Sequence, residues 1–215
     1  MKMLSNSPTP KTIADLLAQL GDVPANRVRL LPIPGTATAK DVVGVEARED
    51  RLCELVQGTL VEKVMRFDES VLNGLLCAFL ANHVRPRKLG ILTNASGMFR
   101  LKPGLIRIPD IAFLSKARYR RGKRPKGPIA KIAPDLVVEI ISKGNTKTEM
   151  RWKLREYFEA GVLLVWYVDA KSHTVQVFTA VDRSVTLGED ETLDGGNVLP
   201  GFRLPLSQLF AEADE

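Results

Sequence analysis

Cysteine and histidine each occur only twice in 215 residues, and that scarcity removes several chemistries at once. Cys53 and Cys77 stand far apart in apolar surroundings, so no disulfide framework is expected. Both read as reduced core thiols of an intracellular, cytoplasmic protein. His83 and His173 are isolated, one near a helix end and one in a hairpin, and no paired Cys/His spacing suggests zinc. A glycine loop that cradles phosphate and a serine-nucleophile motif are also missing. No apolar run is long enough to span a bilayer, and the N-terminus lacks the apolar core of a signal peptide, so no membrane partner is expected. Internal repeats are absent. What remains is a chain with 45% hydrophobic residues, enough for one globular domain with a real core. Its net charge of +6 favours a polyanionic partner.

The stretch Ala133–Gly161 is the most informative. Leu136–Ile141 is a short apolar run rich in Val and Ile and preceded by Pro134, which predicts a strand covered on both faces. Glu139 lies in its middle. An ionised carboxylate there is costly to bury unless a cation or metal meets it. Asn145 or Thr146 can cap the helix that follows, Thr146 and Glu149 have capping-box spacing, and Gly161 stands where the helix should end. Met150, Leu154, Tyr157 and Phe158 make an apolar stripe at helical spacing, with Lys153 on its margin. The long stem of Lys153 can therefore run along the sheet and carry its ammonium towards Glu139.

Elsewhere the pattern is coarser. Lys11–Leu20 predicts a short amphipathic helix ended by Gly21, and Pro32 to about Asp50 reads as a linker or wrapping arm. Residues 1–50 are thus expected to form an N-terminal arm and residues 51–215 the main domain. Leu52–Val56 and Thr59–Val64 flank Gln57-Gly58 as a hairpin, and Glu69–His83 has helical spacing. Ile91–Thr93, Gly97–Leu101, Ile106–Leu114, Val162–Val168 and Thr174–Thr179 read as strands, with a final short element at Leu206–Phe210.

A second carboxylate, Asp110, stands at the head of Ile111–Leu114, where strand pairing can bring it to Glu139. Asp135 is the rival, because it too follows a proline. It shares a strand face with Glu139, but four residues of strand separate the two by roughly 13 Å. One metal ion cannot bridge that gap, so Asp110 is the better partner.

Pro109-Asp110, Asp135-Leu-Val-Val-Glu139-Ile-Ile-Ser142, Asn145-Thr146, Lys153, Glu156-Tyr157, Gly161-Val162, Trp166 and Val168-Asp169 together resemble the pattern of the Uma-two family. These are restriction-endonuclease-like domains of the PD-(D/E)XK nuclease superfamily. Glu54-Leu-Val-Gln-Gly58-Thr-Leu-Val61, Thr192-Leu-Asp-Gly-Gly196 and Leu199-Pro-Gly201 extend the resemblance over most of the chain after residue 50. It implies an α/β (α+β) fold, a restriction-endonuclease-like mixed β-sheet flanked by helices. It also implies a metal-dependent endonuclease, a hydrolase acting on DNA in preference to RNA. Asp110, Glu139 and the backbone carbonyl of Ile140 would hold Mg²⁺ or Mn²⁺, and Lys153 would serve as the catalytic lysine. The superfamily lysine normally follows the glutamate by two residues, where this chain has Ile141, and the family pattern moves it to the next helix.

The chain departs from that pattern at Ser142-Lys143-Gly144, where the family usually has Pro-Ser after the serine, so Lys143 is a second candidate cation. Glu54 and Glu69 are further candidates, the first from its place in the family pattern and the second from the superfamily's habit of an acid on the first core helix. The default expectation for both is the surface. Trp166, Phe158 and Tyr157 are most simply core. Between Asp110 and Glu139 lies a basic segment with Arg118, Arg120, Arg121, Lys123, Arg124 and Lys126, suited to a nucleic-acid backbone.

Hydrolysis of a phosphodiester brings water onto a phosphorus already ringed by negative oxygens, which explains paired carboxylates, a hard divalent ion and a lysine. The bland readings are a structural Asp110–Arg107 pair, a buried Glu139–lysine bridge and a solvated Lys153. The alternative function is a catalytically silent nuclease fold serving as a nucleic-acid-binding or interaction module. A homodimer is compatible with the chemistry, because a single site cuts one strand.

Overall fold

The first fifty residues are more structured than their punctuation suggests. The computed structural model describes residues 10–119 and 124–214. Helix α1 (Ile13–Gln19) is capped by Thr12, whose hydroxyl accepts from the Asp15 amide. The stretch expected to be a linker contains a second helix, α2 (Ala39–Glu49). There Thr38 and Asp41 exchange side-chain-to-backbone bonds at the N-terminus, and Val42 and Val45 are buried one turn apart.

Strands β1 (Cys53–Val56) and β2 (Thr59–Glu62) form the expected antiparallel hairpin, with Gln57 and Gly58 at positive φ in the turn. Helix α3 (Phe67–Val84) follows, then β3 (Gly90–Thr93) and β4 (Met98–Lys102). The segment Ile106–Leu114, expected to be one strand, is two. β5 (Leu105–Arg107) ends before Pro109, which has no amide hydrogen for a ladder, and β6 (Ile111–Ser115) begins after Asp110 in a different sheet. β7 (Ile129–Ala130), β8 (Leu136–Ile140), α4 (Lys147–Glu159), β9 (Leu164–Asp169), β10 (Thr174–Ala180) and β11 (Arg183–Leu187) come next. A small two-stranded sheet, β12 (Thr192–Asp194) with β13 (Arg203–Pro205), leads into α5 (Leu206–Asp214).

Two larger sheets carry the fold. The first has the order β2-β1-β5-β4-β7 and the second β11-β10-β9-β8-β6-β3. β8 and β9 are parallel, as a helical crossover through α4 requires, while β6 runs antiparallel to β8 and pairs Ile111 with Val138. Alternation along β8 decides which way each residue faces. Leu136, Val138 and Ile140 enter the core under α3 and α5, whereas Val137 joins Met150, Leu154 and Tyr157 of α4 on the other face. Glu139 shares parity with Val137 and so faces α4. On the first sheet, Leu55 and Ile106 face α2, while Val56 and Leu105 pack on the α1 side. Glu54 and Arg107 have the parity of that second face.

Candidate active site

Glu139 is 3% exposed and meets Lys153 and Tyr157, both carried by α4. Lys153 Nζ lies 3.4 Å from Glu139 Oε1 and 3.4 Å from Glu54 Oε1, so one ammonium ties the two sheets together. The Tyr157 hydroxyl donates to Glu139 Oε1. Sequence reasoning placed Tyr157 in the core, which its ring satisfies, but its hydroxyl belongs to this cluster. Glu54, expected at the surface, is 1% exposed. The hairpin carries it inwards, where it pairs with Arg107 at 2.7 Å and accepts the Ile108 amide at 3.1 Å. Arg107 also reaches Glu156 at 2.7 Å, so its partners are not Asp110.

Asp110 owes its position to the break between β5 and β6. Its Oδ2 accepts the backbone amide of Ile140 at 2.7 Å, which fixes it beside the end of the strand that bears Glu139. Its Oδ1 is 2.8 Å from the ammonium of Lys63, a residue that sequence reasoning missed. That same ammonium stands 3.9 Å from Glu139 Oε2 and donates to the Ile108 carbonyl. A lysine just past a strand end looks like a solvated residue in sequence. Only the placement of β2, two strands from β5, turns it inwards. Asp135 works elsewhere, at the opposite end of β8, where it accepts the Ser115 amide at 2.7 Å and pairs with Arg118 at 2.9 Å.

These groups form the floor of a cleft of about 310 Å³, lined by Lys63, Asp110, Glu139, Ile140 and Lys153. Its rim includes Arg27, Arg66, Glu69 and Lys143. Glu69 is half-buried and accepts the Arg66 amide at 2.9 Å at the start of α3. Lys143 is exposed on the loop after β8. Arg27, from the N-terminal region, crosses to α4 and holds Glu149 through two bonds of 3.0 and 2.9 Å. The Glu149 amide is capped by Thr146 as the spacing predicted, but its carboxylate serves Arg27 instead of closing a capping box.

Burial sets the electrostatics. It pushes the Glu139 carboxyl above its ordinary value despite the pull of Lys153 and Lys63, with the charges of Asp110 and Glu54 adding to the rise. Burial acts on Glu54 in the same sense, yet Lys153, Arg107 and Lys63 hold it well below the usual carboxylate range. Lys153 is buried too, and Glu139, Glu54 and Glu149 keep its ammonium charged beyond any working pH. Lys153 is therefore a fixed positive charge and not a proton acceptor. Burial and then Glu139 likewise keep the Tyr157 phenol protonated, as a donor.

The cluster suits a hard cation. Asp110 Oδ1, Glu139 Oε2 and the Ile108 carbonyl already surround a positive charge, that of Lys63. The described residues hold no group of three or more His, Cys, Asp or Glu side chains around a metal position, so a bound ion would need water or substrate to complete its shell.

The basic segment begins away from this cleft, at Arg118. Arg118 is tied to Asp135 and to the Gly161 carbonyl at 2.6 Å, and Arg124 and Lys126 are exposed. Arg120, Arg121 and Lys123 lie outside the described residues. The segment leaves β6 at Ser115, the end opposite Asp110, about 17 Å along the strand.

A family model named Uma2 and described as "Putative restriction endonuclease" matches residues 43–207. The fold is similar to that of "a putative nuclease belonging to DUF820 from Anabaena variabilis ATCC 29413", with a TM-score of 0.66 and 19% identity. That match covers 76% of this chain and 92% of the other. At such identity the likeness speaks for the fold alone. No curated protein matches the chain. Among the described residues, no helix is long and apolar enough to cross a membrane.

Proposed function

The protein belongs to the Uma2 family, whose model spans most of its length, and from that premise we propose that it is a metal-dependent endonuclease hydrolysing phosphodiester bonds in DNA. The observation that carries this reading is the convergence of Asp110, Glu139 and Lys153, from three separate elements, on the floor of one cleft. Asp110 and Glu139, with the main-chain carbonyl of Ile140, would hold Mg²⁺ or Mn²⁺. When bound, such an ion supplies positive charge to the phosphate and acidity to a water.

The chain's own residues do the rest. Lys153, held between Glu54 and Glu139, keeps a permanent positive charge at the cleft floor, where it can stabilise negative charge growing on a phosphoryl oxygen. Glu54 and Arg107 brace it from the other sheet, and Tyr157 fixes one oxygen of Glu139 while the other stands 3.5 Å from Lys153 and 3.9 Å from Lys63. Lys143, exposed at the rim, would meet the substrate backbone.

Cleavage of plasmid and single-stranded DNA by Lys153→Ala and Lys143→Ala variants separates these roles. Lys153→Ala is expected to lower kcat by about 10²-fold with little change in KM. Lys143→Ala should raise KM and leave kcat near wild type. The reverse pattern would transfer the catalytic role to Lys143. A catalytically silent binding module is the second reading, favoured by the fact that Lys63 already satisfies Asp110. It predicts DNA binding with no turnover at any metal concentration.

A further inference from the structure

We propose that Lys63 is the resident counterion of the cation seat, which a divalent ion must displace in order to bind. The inference rests on the metal-dependent reading above and names the group against which the metal competes. Three oxygens converge on its ammonium: Asp110 Oδ1 at 2.8 Å, Glu139 Oε2 at 3.9 Å and the Ile108 carbonyl. An all-oxygen setting of this kind is what Mg²⁺ or Mn²⁺ would select.

Charge balance favours exchange over simple addition. The linked cluster holds the carboxylates of Glu54, Asp110, Glu139, Glu149 and Glu156 against the cations Arg27, Lys63, Arg107 and Lys153. With all five carboxylates ionised and Lys63 seated, one negative charge is left over. With Lys63 displaced by a divalent ion, the cluster is neutral. Adding the ion beside a seated Lys63 would overshoot and place two cations against one another.

The geometry permits the exchange. Lys63 follows β2 directly and opens the cleft-lining stretch that runs to Arg66, where Val64 is 60% exposed. Its flexible four-carbon stem can carry the ammonium into the cleft while Asp110 stays bonded to the Ile140 amide. Lys153 has no such freedom, being held between two sheets at 3% exposure. Occupancy of the seat by Lys63 lowers the apparent metal affinity by the fraction of molecules in which the seat is free.

The test is calorimetric titration of Mn²⁺ into wild type, Lys63→Met and Lys63→Gln, with Lys63→Gln/Asp110→Asn locating the seat. Lys63→Gln keeps a donor for Asp110 and Ile108, so it remains informative if Lys63→Met fails to fold. Both single variants should bind Mn²⁺ with a Kd lower by roughly tenfold or more, and the added Asp110→Asn change should abolish that gain. Wild type that binds Mn²⁺ while folded Lys63→Gln binds it no tighter would overturn the role of Lys63 and leave the metal reading standing. Absence of binding by every variant would overturn both.

Discussion

A buried carboxylate that resists ionisation is the residue on which the proposed chemistry turns. Glu139 has a folded-state pKa above its ordinary value near 4.5 because burial, Asp110 and Glu54 outweigh its two lysines. The sign follows from proton binding: the folded protein holds this proton more tightly than the unfolded chain does. Stability from Glu139 is therefore present below the unfolded value and is lost as pH rises through the folded one. Glu139→Gln keeps an acceptor for Tyr157 and removes that loss. In metal-free buffer its Tm should match or exceed that of wild type, with the gap widening as pH rises above about 4.5, while cleavage disappears. A thermal melt series against pH checks this, and a strongly destabilised Glu139→Gln would mean that the carboxylate is chiefly a structural anchor for Lys153. Glu54 behaves oppositely, since Lys153 and Arg107 keep it ionised against burial. Its contribution is present above the ordinary value and lost only in stronger acid.

Elements deliver these residues, and the β1–β2 hairpin delivers two of them. Glu54 lies on β1, Lys63 follows β2, and the turn between them is clamped by the N-terminal region. The Gly58 carbonyl accepts the amides of Gly35 at 2.9 Å and Ala37 at 2.8 Å. Gly58 has φ +74°, and a Cβ there would lie 2.5 Å from the Gly35 backbone. Gly58→Ala should therefore cost about 1–3 kcal/mol and lower activity by loosening Glu54, which braces Lys153 at 3.4 Å. Differential scanning calorimetry beside cleavage assays reads both. An unchanged Tm would show that the turn yields freely and is no clamp.

Legibility in the sequence differed from element to element for physical reasons. β8 and α4 were readable because β-branched residues, a threonine cap and a terminal glycine act locally. Glu139 and Lys153 could be connected because strand alternation and helical spacing aim both at one face. α2 was obscured by the Pro, Gly and Thr residues before it, although Thr38 and Asp41 mark its start. β11 is Arg183-Ser-Val-Thr-Leu187 with its first four residues exposed, so no apolar alternation announces it. Lys63 and the inward face of Glu54 depend on the order of strands in the first sheet, which no local pattern encodes. Pro109 did carry the signal that splits β5 from β6.

For the whole molecule, a net charge of +6 and the anchoring of Arg118 at the end of β6 opposite Asp110 fit a proposal of two separable uses of positive charge. Arg124 and Lys126 are exposed and lie in the segment anchored at the far end of β6, so under the proposed function they would serve DNA by counterion release and not by catalysis. Arg124→Ser/Lys126→Ser should weaken DNA binding at low salt and reduce the slope of log K against log salt by about 0.9 for each phosphate no longer neutralised. kcat should be unchanged. A salt-independent affinity would remove this segment from the interface.

The central claim, that Asp110 and Glu139 share a divalent ion for hydrolysis, is tested most directly by conversion of supercoiled plasmid in Mg²⁺ by wild type and Asp110→Asn. The amide oxygen of the introduced asparagine would still accept the Ile140 amide, and Lys63 can turn to solvent, so the variant should fold with a Tm near wild type. The account predicts nicked and linear products from wild type, none after chelation, and none from folded Asp110→Asn. Plasmid left intact by wild type across Mg²⁺ and Mn²⁺ concentrations, or cut as fast by Asp110→Asn, would contradict it.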